Sequence, residues 1–218
     1  MRSQLLVAPF IALLAMAGCP GNEATPFTTE GLEPLEPNTA PLPMPTTAER
    51  YPEVASIVSA NSDPFFWAHL KGYVHASLAT TWEAIHDPEV CLDRRSADDW
   101  SFQLNVYPQY QYSFLQHINF TQVITVWWDT SWRLGVREGT IDQPTLVGGR
   151  WQKTNGTTYV SLLEGSVQAQ AVDANTTEIE FIEHLKSFNG PERAIQTIQD
   201  YYDSVVARVH GQPLPRFR

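Results

Sequence analysis

The clearest pattern of apolar and polar positions lies near the end of the chain and predicts a helix over residues 191–210. At about 100° of rotation per residue, the apolar side chains fall within one arc of roughly 140°. Pro191 suits the first turn of a helix, and Gly211 and Pro213 follow the last apolar position. An apolar stripe this wide has to be covered, so we expect a curved sheet to pack against it. The stripe consists of Ala194, Ile195, Ile198, Tyr201, Tyr202, Val205, Val206 and Val209.

Alternating apolar and polar residues predict a strand over residues 65–76, with the even-numbered residues sharing one face. A short helix is expected to follow, because Ser77 can act as its N-cap and Asp87-Pro88 ends the apolar repeat. Further strand signals, divided by turn residues, predict an antiparallel meander. These signals cover residues 100–107, 110–120, 122–129, 132–137, 146–153, 157–164, 166–173 and 177–187.

Two shorter patterns add detail to this prediction. Asn155-Gly156 favours a tight type I′ turn, since both central residues of that turn need positive φ. Apolar residues between Tyr51 and Val58 recur at spacings of three and four, which favours a short helix within a lead-in segment, residues 49–64. The main domain is therefore expected to occupy residues 65–213.

The first 18 residues have the pattern of an export signal. Arg2 gives a positive start, and an apolar run too short to span a bilayer follows it. The run ends in Met16-Ala17-Gly18-Cys19, which resembles the lipobox of bacterial lipoproteins, although Leu is usual at the first position. The resemblance implies cleavage before Cys19 and acylation of its sulfur and amine, which anchors a protein to a membrane. An ordinary secretory signal, with Cys19 as the terminal thiol, and a eukaryotic secreted protein are the alternatives.

Residues 19–48 read as a tether between this anchor and the domain. Seven prolines alternate with polar residues over 20–48, and no apolar periodicity is visible, so we expect the segment to stay disordered. In a polyproline II conformation it could reach about 90 Å. The lipobox resemblance then implies a location in the bacterial cell envelope. Pro20 in place of Asp resembles the outer-membrane default of enteric bacteria, with the domain facing the periplasm.

Composition narrows the classes of partner. The 218 residues carry 24 acidic and 14 basic side chains, a formal charge of −10, and the basic residues form no cluster. Nucleic acid is therefore not an expected partner. The histidines and cysteines show no metal-binding spacing, so neither a metal nor another cofactor is expected. With Cys19 acylated, Cys91 has no disulfide partner and is expected to be buried as a small apolar side chain.

Residues 73–89 read Tyr-Val-His-Ala-Ser-Leu-Ala-Thr-Thr-Trp-Glu-Ala-Ile-His-Asp-Pro-Glu. This segment resembles the opening of the START-related (SRPBCC) superfamily, with Ser77 where Pro is usual, and the resemblance extends over residues 65–211 through the order of the elements. It implies an α+β helix-grip fold, in which a curved antiparallel sheet of about six to eight strands wraps around the long C-terminal helix. It also implies an apolar cavity between sheet and helix. The superfamily uses that cavity for lipid, quinone, sterol or polyketide ligands and offers no universal catalytic set.

Candidate site residues follow from this geometry. The Glu183-His184 pair is the best acid/base candidate, because adjacent strand residues point to opposite faces and only one of them can enter a cavity. Solvated surface residues are the favoured interpretation of this pair. Trp127 and Trp128 are divided between the two faces in the same way. The side chains expected to line the cavity are Trp82, Ile195, Ile198, Tyr202, Val205 and Val209.

Three functional hypotheses remain open at this point. The first is an envelope lipoprotein that binds or carries an apolar small molecule without chemistry. The second is an enzyme of the cyclase or aromatase kind, with a cavity carboxylate or Tyr as acid or base. The third is a structural or assembly lipoprotein whose interior is filled by its own side chains. Titratable side chains converging in the cavity would favour the second, and a fully packed interior would favour the third.

Overall fold

The computed structural model describes residues 27–94, 97–121, 124–187 and 192–215. Within these ranges the chain forms eight strands and two helices. The strands are β1 (Ala55–Ser62), β2 (Phe65–Val74), β3 (Asp99–Leu104), β4 (Tyr112–Thr121), β5 (Thr125–Gly139), β6 (Pro144–Gly156), β7 (Val160–Asp173) and β8 (Thr176–Ser187), and the helices are α1 (Leu78–Ile85) and α2 (Glu192–Val209).

All eight strands form one curved sheet in the order β1-β2-β8-β7-β6-β5-β4-β3, and every neighbouring pair is antiparallel. The long helix α2 lies against the inner face of the sheet, mainly on β2 and β8, and α1 packs beside it. This is the α+β helix-grip arrangement, and the predicted fold is confirmed. No helix in the described ranges is long and apolar enough to cross a membrane.

The α1 helix begins as its sequence predicts. The Ser77 side chain accepts a hydrogen bond from the Thr80 amide at 3.2 Å, which satisfies one of the free N–H groups of the first turn. Ser77 therefore provides an N-cap where the superfamily motif has Pro. Trp82 is buried and packs on the rings of His86 and Tyr112. Cys91 is also buried, and its thiol donates to the Ile85 carbonyl at 3.2 Å.

The α2 helix is buried over a wider arc than the predicted stripe. Five of the eight predicted positions are buried, whereas Ile195, Val206 and Val209 are only partly so. The reason is that α1 and the sheet cover the helix from two sides. The polar arc is consequently buried in part, through Thr197, Asp200, Ser204 and Ala207.

Two predicted strand breaks do not occur, because β5 and β7 each run through as a single long strand. Gly165 lies in the middle of β7, where it makes room for an indole ring. A Cβ atom there would stand 2.0 Å from the ring of Trp151. This glycine therefore serves packing, and it is not a turn residue.

The type I′ turn predicted at Asn155-Gly156 is also wrong. Both residues still pair with β5, and the chain turns over residues 157–159 instead. Gly156 has φ of 123° and approaches the Trp127 carbonyl so closely that a Cβ atom would lie 2.4 Å from it. Asn155 does not share this left-handed backbone, since Asn105 is the one non-glycine residue with positive φ in the described chain. Glycine is required here by close approach at the end of the strand.

The lead-in segment forms a strand and not the predicted short helix. Residues 55–62 form the edge strand β1, and each of them pairs with a residue of β2 between positions 65 and 72. Only Ile57 and Val58 of the predicted pattern lie in this strand, and backbone pairing with the edge of β2 overrides their helical spacing. The domain therefore begins before residue 65.

The largest correction concerns the predicted tether. Residues 28–40, which we call the strap, cross the outer face of the sheet. Leu32 is fully buried there, and the Leu35 amide donates to the Ser166 hydroxyl at 3.1 Å. Asn38 donates to the carbonyls of Leu70 and Phe181 at 2.9 and 3.2 Å. Prolines keep this segment extended, and the outer face offers polar side chains to its backbone.

Candidate functional site

A cavity of about 250 Å³ lies between the sheet and the first half of α2. It is walled mainly by apolar side chains from β4, β5, β7 and β8, and polar side chains enter it from both the sheet and the helix. It reaches the surface beside Ile124 and Tyr159, whose side chains are 46% and 41% exposed. The lining residues are Asp93, Gln116, Ile118, Phe120, Ile124, Val126, Trp128, Tyr159, Val160, Leu163, Glu183, Leu185, Ser187, Arg193, Thr197 and Tyr201.

The other end of the same interior is closely packed. Trp132 stacks on Trp151 with ring centroids 4.7 Å apart and on Phe114 at 5.5 Å. The ring of Tyr201 closes over both indoles, at 5.8 and 5.7 Å from their centroids. The next void along the helix measures only about 10 Å³. Tyr201 therefore separates the packed end of the interior from the open end.

Glu183 is the most unusual side chain in the cavity wall. It is fully buried, and neither of its carboxyl oxygens has a hydrogen-bonding partner among the described residues. Burial raises the pKa of Glu183 well above its ordinary value of 4.5, and the charge of Asp93 raises it further, while the neighbouring Thr197 hydroxyl and the charge of Arg193 lower it. The Thr197 hydroxyl does not partner the carboxyl, because it donates its proton to the Arg193 carbonyl. A carboxyl buried this fully favours its neutral, protonated form. It can therefore donate a hydrogen bond.

The Trp128 indole N–H also lacks a partner among the described residues, whereas two other polar groups of the cavity have one. The Gln116 amide donates to the Cys91 carbonyl at 3.0 Å, and the Thr197 hydroxyl donates to the Arg193 carbonyl at 2.9 Å. Burial is also the largest cause that raises the pKa of Tyr201 well above its ordinary value of 10.0. Asp93, Tyr159, Glu183, Arg193 and Tyr201 thus bring five titratable side chains to one cavity.

None of the six side chains predicted to line the cavity lies in its wall. Val205 lines the 10 Å³ void, and Ile198 is buried in the core. The hydroxyl of Tyr202 donates to the Tyr73 carbonyl at 2.7 Å. Trp82 belongs to the α1 packing described above, and Ile195 and Val209 are partly buried against the core. The cavity faces the row Arg193, Thr197 and Tyr201, which lies along one edge of the predicted stripe and shares only Tyr201 with it.

The Glu183-His184 pair is divided between the two faces as alternation requires, but neither residue is a solvated surface group. His184 lies on the outer face, 7% exposed, with its ring nitrogens 3.3 Å from Glu36 and 3.2 Å from Glu164. Glu183 points into the cavity. Trp128 likewise lines the cavity, whereas Trp127 lies near the ring of His117.

Two signals in the sequence point to cavity side chains that were not among the predicted lining residues. Gln116 interrupts the inward-facing apolar series Phe114, Ile118 and Phe120 of one strand. Arg193, Thr197 and Tyr201 recur at intervals of four on the last helix and so share one face. Cys19, the predicted lipidation site, lies outside the described residues. No cluster of His, Cys, Asp or Glu suited to a metal occurs in the part of the chain that the structure describes.

Comparison with known proteins finds similarity in fold. No family model and no curated protein sequence matches the chain. Human StAR-related lipid transfer protein 5 superposes with a TM-score of 0.52 at 9% identity, covering 84% of this chain and 88% of that one. The lipid transfer and protein localization domain of human StarD13 gives 0.46 at 10% identity, over 73% and 85%. The Zhui aromatase/cyclase of a Streptomyces species gives 0.42 at 12% identity, over 72% and 93%.

Proposed function

We propose that the chain binds an apolar small molecule in the cavity between the sheet and the first half of α2. The observation that carries this proposal is a space of about 250 Å³ between sheet and helix, next to a part of the interior that is closely packed around Trp132 and Tyr201. Protein interiors seldom keep voids larger than a water molecule, so a space of this size that reaches the surface is best explained by a ligand. The fold shared with a protein named for lipid transfer supports the same conclusion.

The size of the cavity limits the ligand. At about 30 Å³ per water, 250 Å³ corresponds to about eight waters, so the enclosed part of a ligand has on the order of ten non-hydrogen atoms. Two fused six-membered rings have this size. A longer molecule can bind only if its remainder passes out beside Ile124 and Tyr159.

Titration of the purified chain with naphthalene, followed by calorimetry, tests this proposal. We expect saturable binding with one site per chain. The matched control is Val126→Phe, which places a ring in the cavity and is expected to weaken binding at least tenfold. A wild-type chain that binds neither naphthalene nor larger apolar molecules would contradict the proposal, and so would equal binding by the Val126→Phe variant.

We also propose that the chain is an envelope lipoprotein anchored through Cys19. The support is the sequence of residues 1–19, with its positive start, short apolar run and lipobox-like end. Because the strap packs on the sheet, the tether is shorter than expected. The seven residues between Cys19 and Phe27 span at most about 28 Å. Mass spectrometry of the mature N-terminus should show an acylated Cys19, and Cys19→Ala should release the chain from the membrane fraction. An unmodified mature N-terminus would contradict this proposal.

A second candidate function is acid/base chemistry on a carbonyl compound in the same cavity. It is favoured by the convergence of Asp93, Glu183 and Tyr201, since a neutral acid and a nearby base can together promote enolisation. Incubation of 2-tetralone with the chain in D₂O tests it, because enolisation exchanges the α-hydrogens for deuterium. Exchange should be faster with the wild-type chain than with Glu183→Gln. An exchange rate equal to that in buffer would leave binding alone as the function.

A further inference from the structure

Two adjacent residues of β8 show how differently this protein treats its buried polar groups. On the outer face, His184 contacts the carboxylates of Glu36 and Glu164. On the inner face, neither oxygen of Glu183 meets a partner among the described residues, although the side chain is fully buried. Buried polar groups in folded proteins are nearly always hydrogen-bonded, and an exception calls for an explanation. The position of Glu183 in the cavity wall supplies one.

Given the proposed function, we infer that the ligand carries a neutral oxygen at its buried end, a hydroxyl or a ketone, which accepts a hydrogen bond from the Glu183 carboxyl. The ligand then completes the hydrogen bonding that the folded chain leaves unmade. The rest of the molecule lies against apolar walls such as Ile118, Val126 and Leu163. The ligand class is therefore an apolar ring system or chain with one oxygen function at the end that enters first.

The charges around the carboxyl exclude the other common head groups from this position. A carboxylate or phosphate next to the neutral Glu183 carboxyl would lie within the field of Asp93, which disfavours a second negative charge there. An ammonium group would require Glu183 to ionise, which burial opposes, and it would share the cavity with the Arg193 guanidinium. A neutral oxygen needs neither change, because a protonated carboxyl donates to it directly.

A matched pair of ligands makes this inference measurable. Naphthalene and 2-naphthol differ by one oxygen, and in a purely apolar cavity naphthalene should bind more tightly, because the hydroxyl loses its hydration without compensation. With the Glu183 carboxyl available as a donor, the order should reverse. We expect the wild-type chain to prefer 2-naphthol roughly tenfold or more and to bind 2-naphthoate more weakly than either.

Two substitutions of Glu183 distinguish the effect of its hydrogen bond on binding from the effect of the cavity space. Glu183→Gln keeps a donor of similar shape and should retain the preference for 2-naphthol. Glu183→Leu removes the donor and should make naphthalene the tighter ligand, with its affinity unchanged within a few-fold. Circular dichroism on each variant verifies the fold. If the Glu183→Leu variant does not fold, the wild-type order of the three ligands and the Glu183→Gln variant still decide the matter.

The outcomes for this inference and for the proposed function are distinct. If the wild-type chain binds naphthalene as tightly as 2-naphthol, or if the Glu183→Leu variant keeps the wild-type order, the role of Glu183 is overturned while cavity binding stands. Tighter binding of 2-naphthoate than of 2-naphthol would overturn the neutral-oxygen assignment in favour of an anionic head group. If none of the three ligands binds, the proposed function fails first, and the inference fails with it.

Discussion

The two ends of the protein interior are built from the same sheet and the same helix, yet one is filled and the other is open. At the packed end, Trp132 and Trp151 stack on each other beneath Tyr201. At the open end, Val126 and Leu163 stand at the corresponding inner face of β5 and β7 and leave about 250 Å³ between them and the helix. A gap between sheet and helix therefore exists at both ends of the interior. Large side chains fill it at the packed end, and smaller side chains leave it open at the other.

The contrast also separates structural polar groups from functional ones. The strap on the outer face provides partners for His69 and His184, through Glu36 at 2.8 and 3.3 Å. The inner face gives Glu183 no such partner among the described residues. Burial alone therefore does not identify a site, because both faces contain buried polar side chains. The useful observation is burial without a partner next to open space.

The largest expected effect comes from removing an indole ring at each end. Trp151→Ala should lower the free energy of unfolding by about 3–5 kcal/mol, since it deletes a fully buried ring from a stack. Trp128→Ala should lower it by about half as much, because one side of that ring already faces the cavity. Urea unfolding of both variants gives the comparison. Equal losses would mean that the open end is as closely packed as the other.

The converse test adds a phenyl ring at each end of the interior. Val167→Phe, in the wall of the 10 Å³ void, should destabilise the chain by about 1–3 kcal/mol through overpacking. Val126→Phe, in the wall of the cavity, should change stability by less than about 1 kcal/mol while it blocks naphthalene. Melting temperatures and calorimetric titrations measure the two effects. Strong destabilisation by Val126→Phe would show that the open space closes in solution.

Glu183→Gln should stabilise the chain at neutral pH, by on the order of 1–2 kcal/mol. Burial raises the pKa of Glu183 in the folded state, so the folded chain holds a proton that the unfolded chain releases above about pH 4.5. Wild-type stability therefore falls as pH rises from 4.5, and the Glu183→Gln variant lacks this loss. The gap between the two melting temperatures should widen from pH 4.5 to 8. A constant gap would mean that Glu183 is not protonated in the folded chain.

Glu36→Gln should have the opposite dependence and the smallest effect. Burial raises the pKa of Glu36, but hydrogen bonds and charges from His69 and His184 outweigh it and lower the pKa below 4.5. The carboxylate then stabilises the fold above pH 4.5, and this contribution disappears as pH falls through the lower folded value. Because the side chain is 39% exposed, we expect a loss below about 1 kcal/mol at pH 7. A loss that persists at pH 3 would contradict the assignment.

Much of the fold could be predicted because local and long-range signals agree. The Ser77 N-cap, the strand alternation and the long terminal helix each correspond to an element in the structure. The strap could not be predicted from its own residues, since its stability comes from partners such as Ser166 and Leu70 on the distant outer face. The edge strand β1 depends in the same way on pairing with β2.

The site was harder to predict than the fold. Alternation correctly divided Glu183 from His184 and Trp128 from Trp127, because it depends only on strand geometry. The cavity wall on α2 was misplaced, since an apolar stripe marks where a helix is buried and not where its packing is incomplete. Incomplete packing depends on the volumes of side chains from four strands at once, which no single segment encodes.

The position of a bound ligand is the most direct test of the open end as a binding site. With 2-naphthol bound to a methyl-labelled chain, NMR should show nuclear Overhauser contacts from the ligand to methyl groups of Ile118, Val126 and Leu163. No contacts are expected to Val147 or Val205, which lie in the packed core. Contacts to those two residues, or to the outer face of the sheet, would contradict binding at the open end.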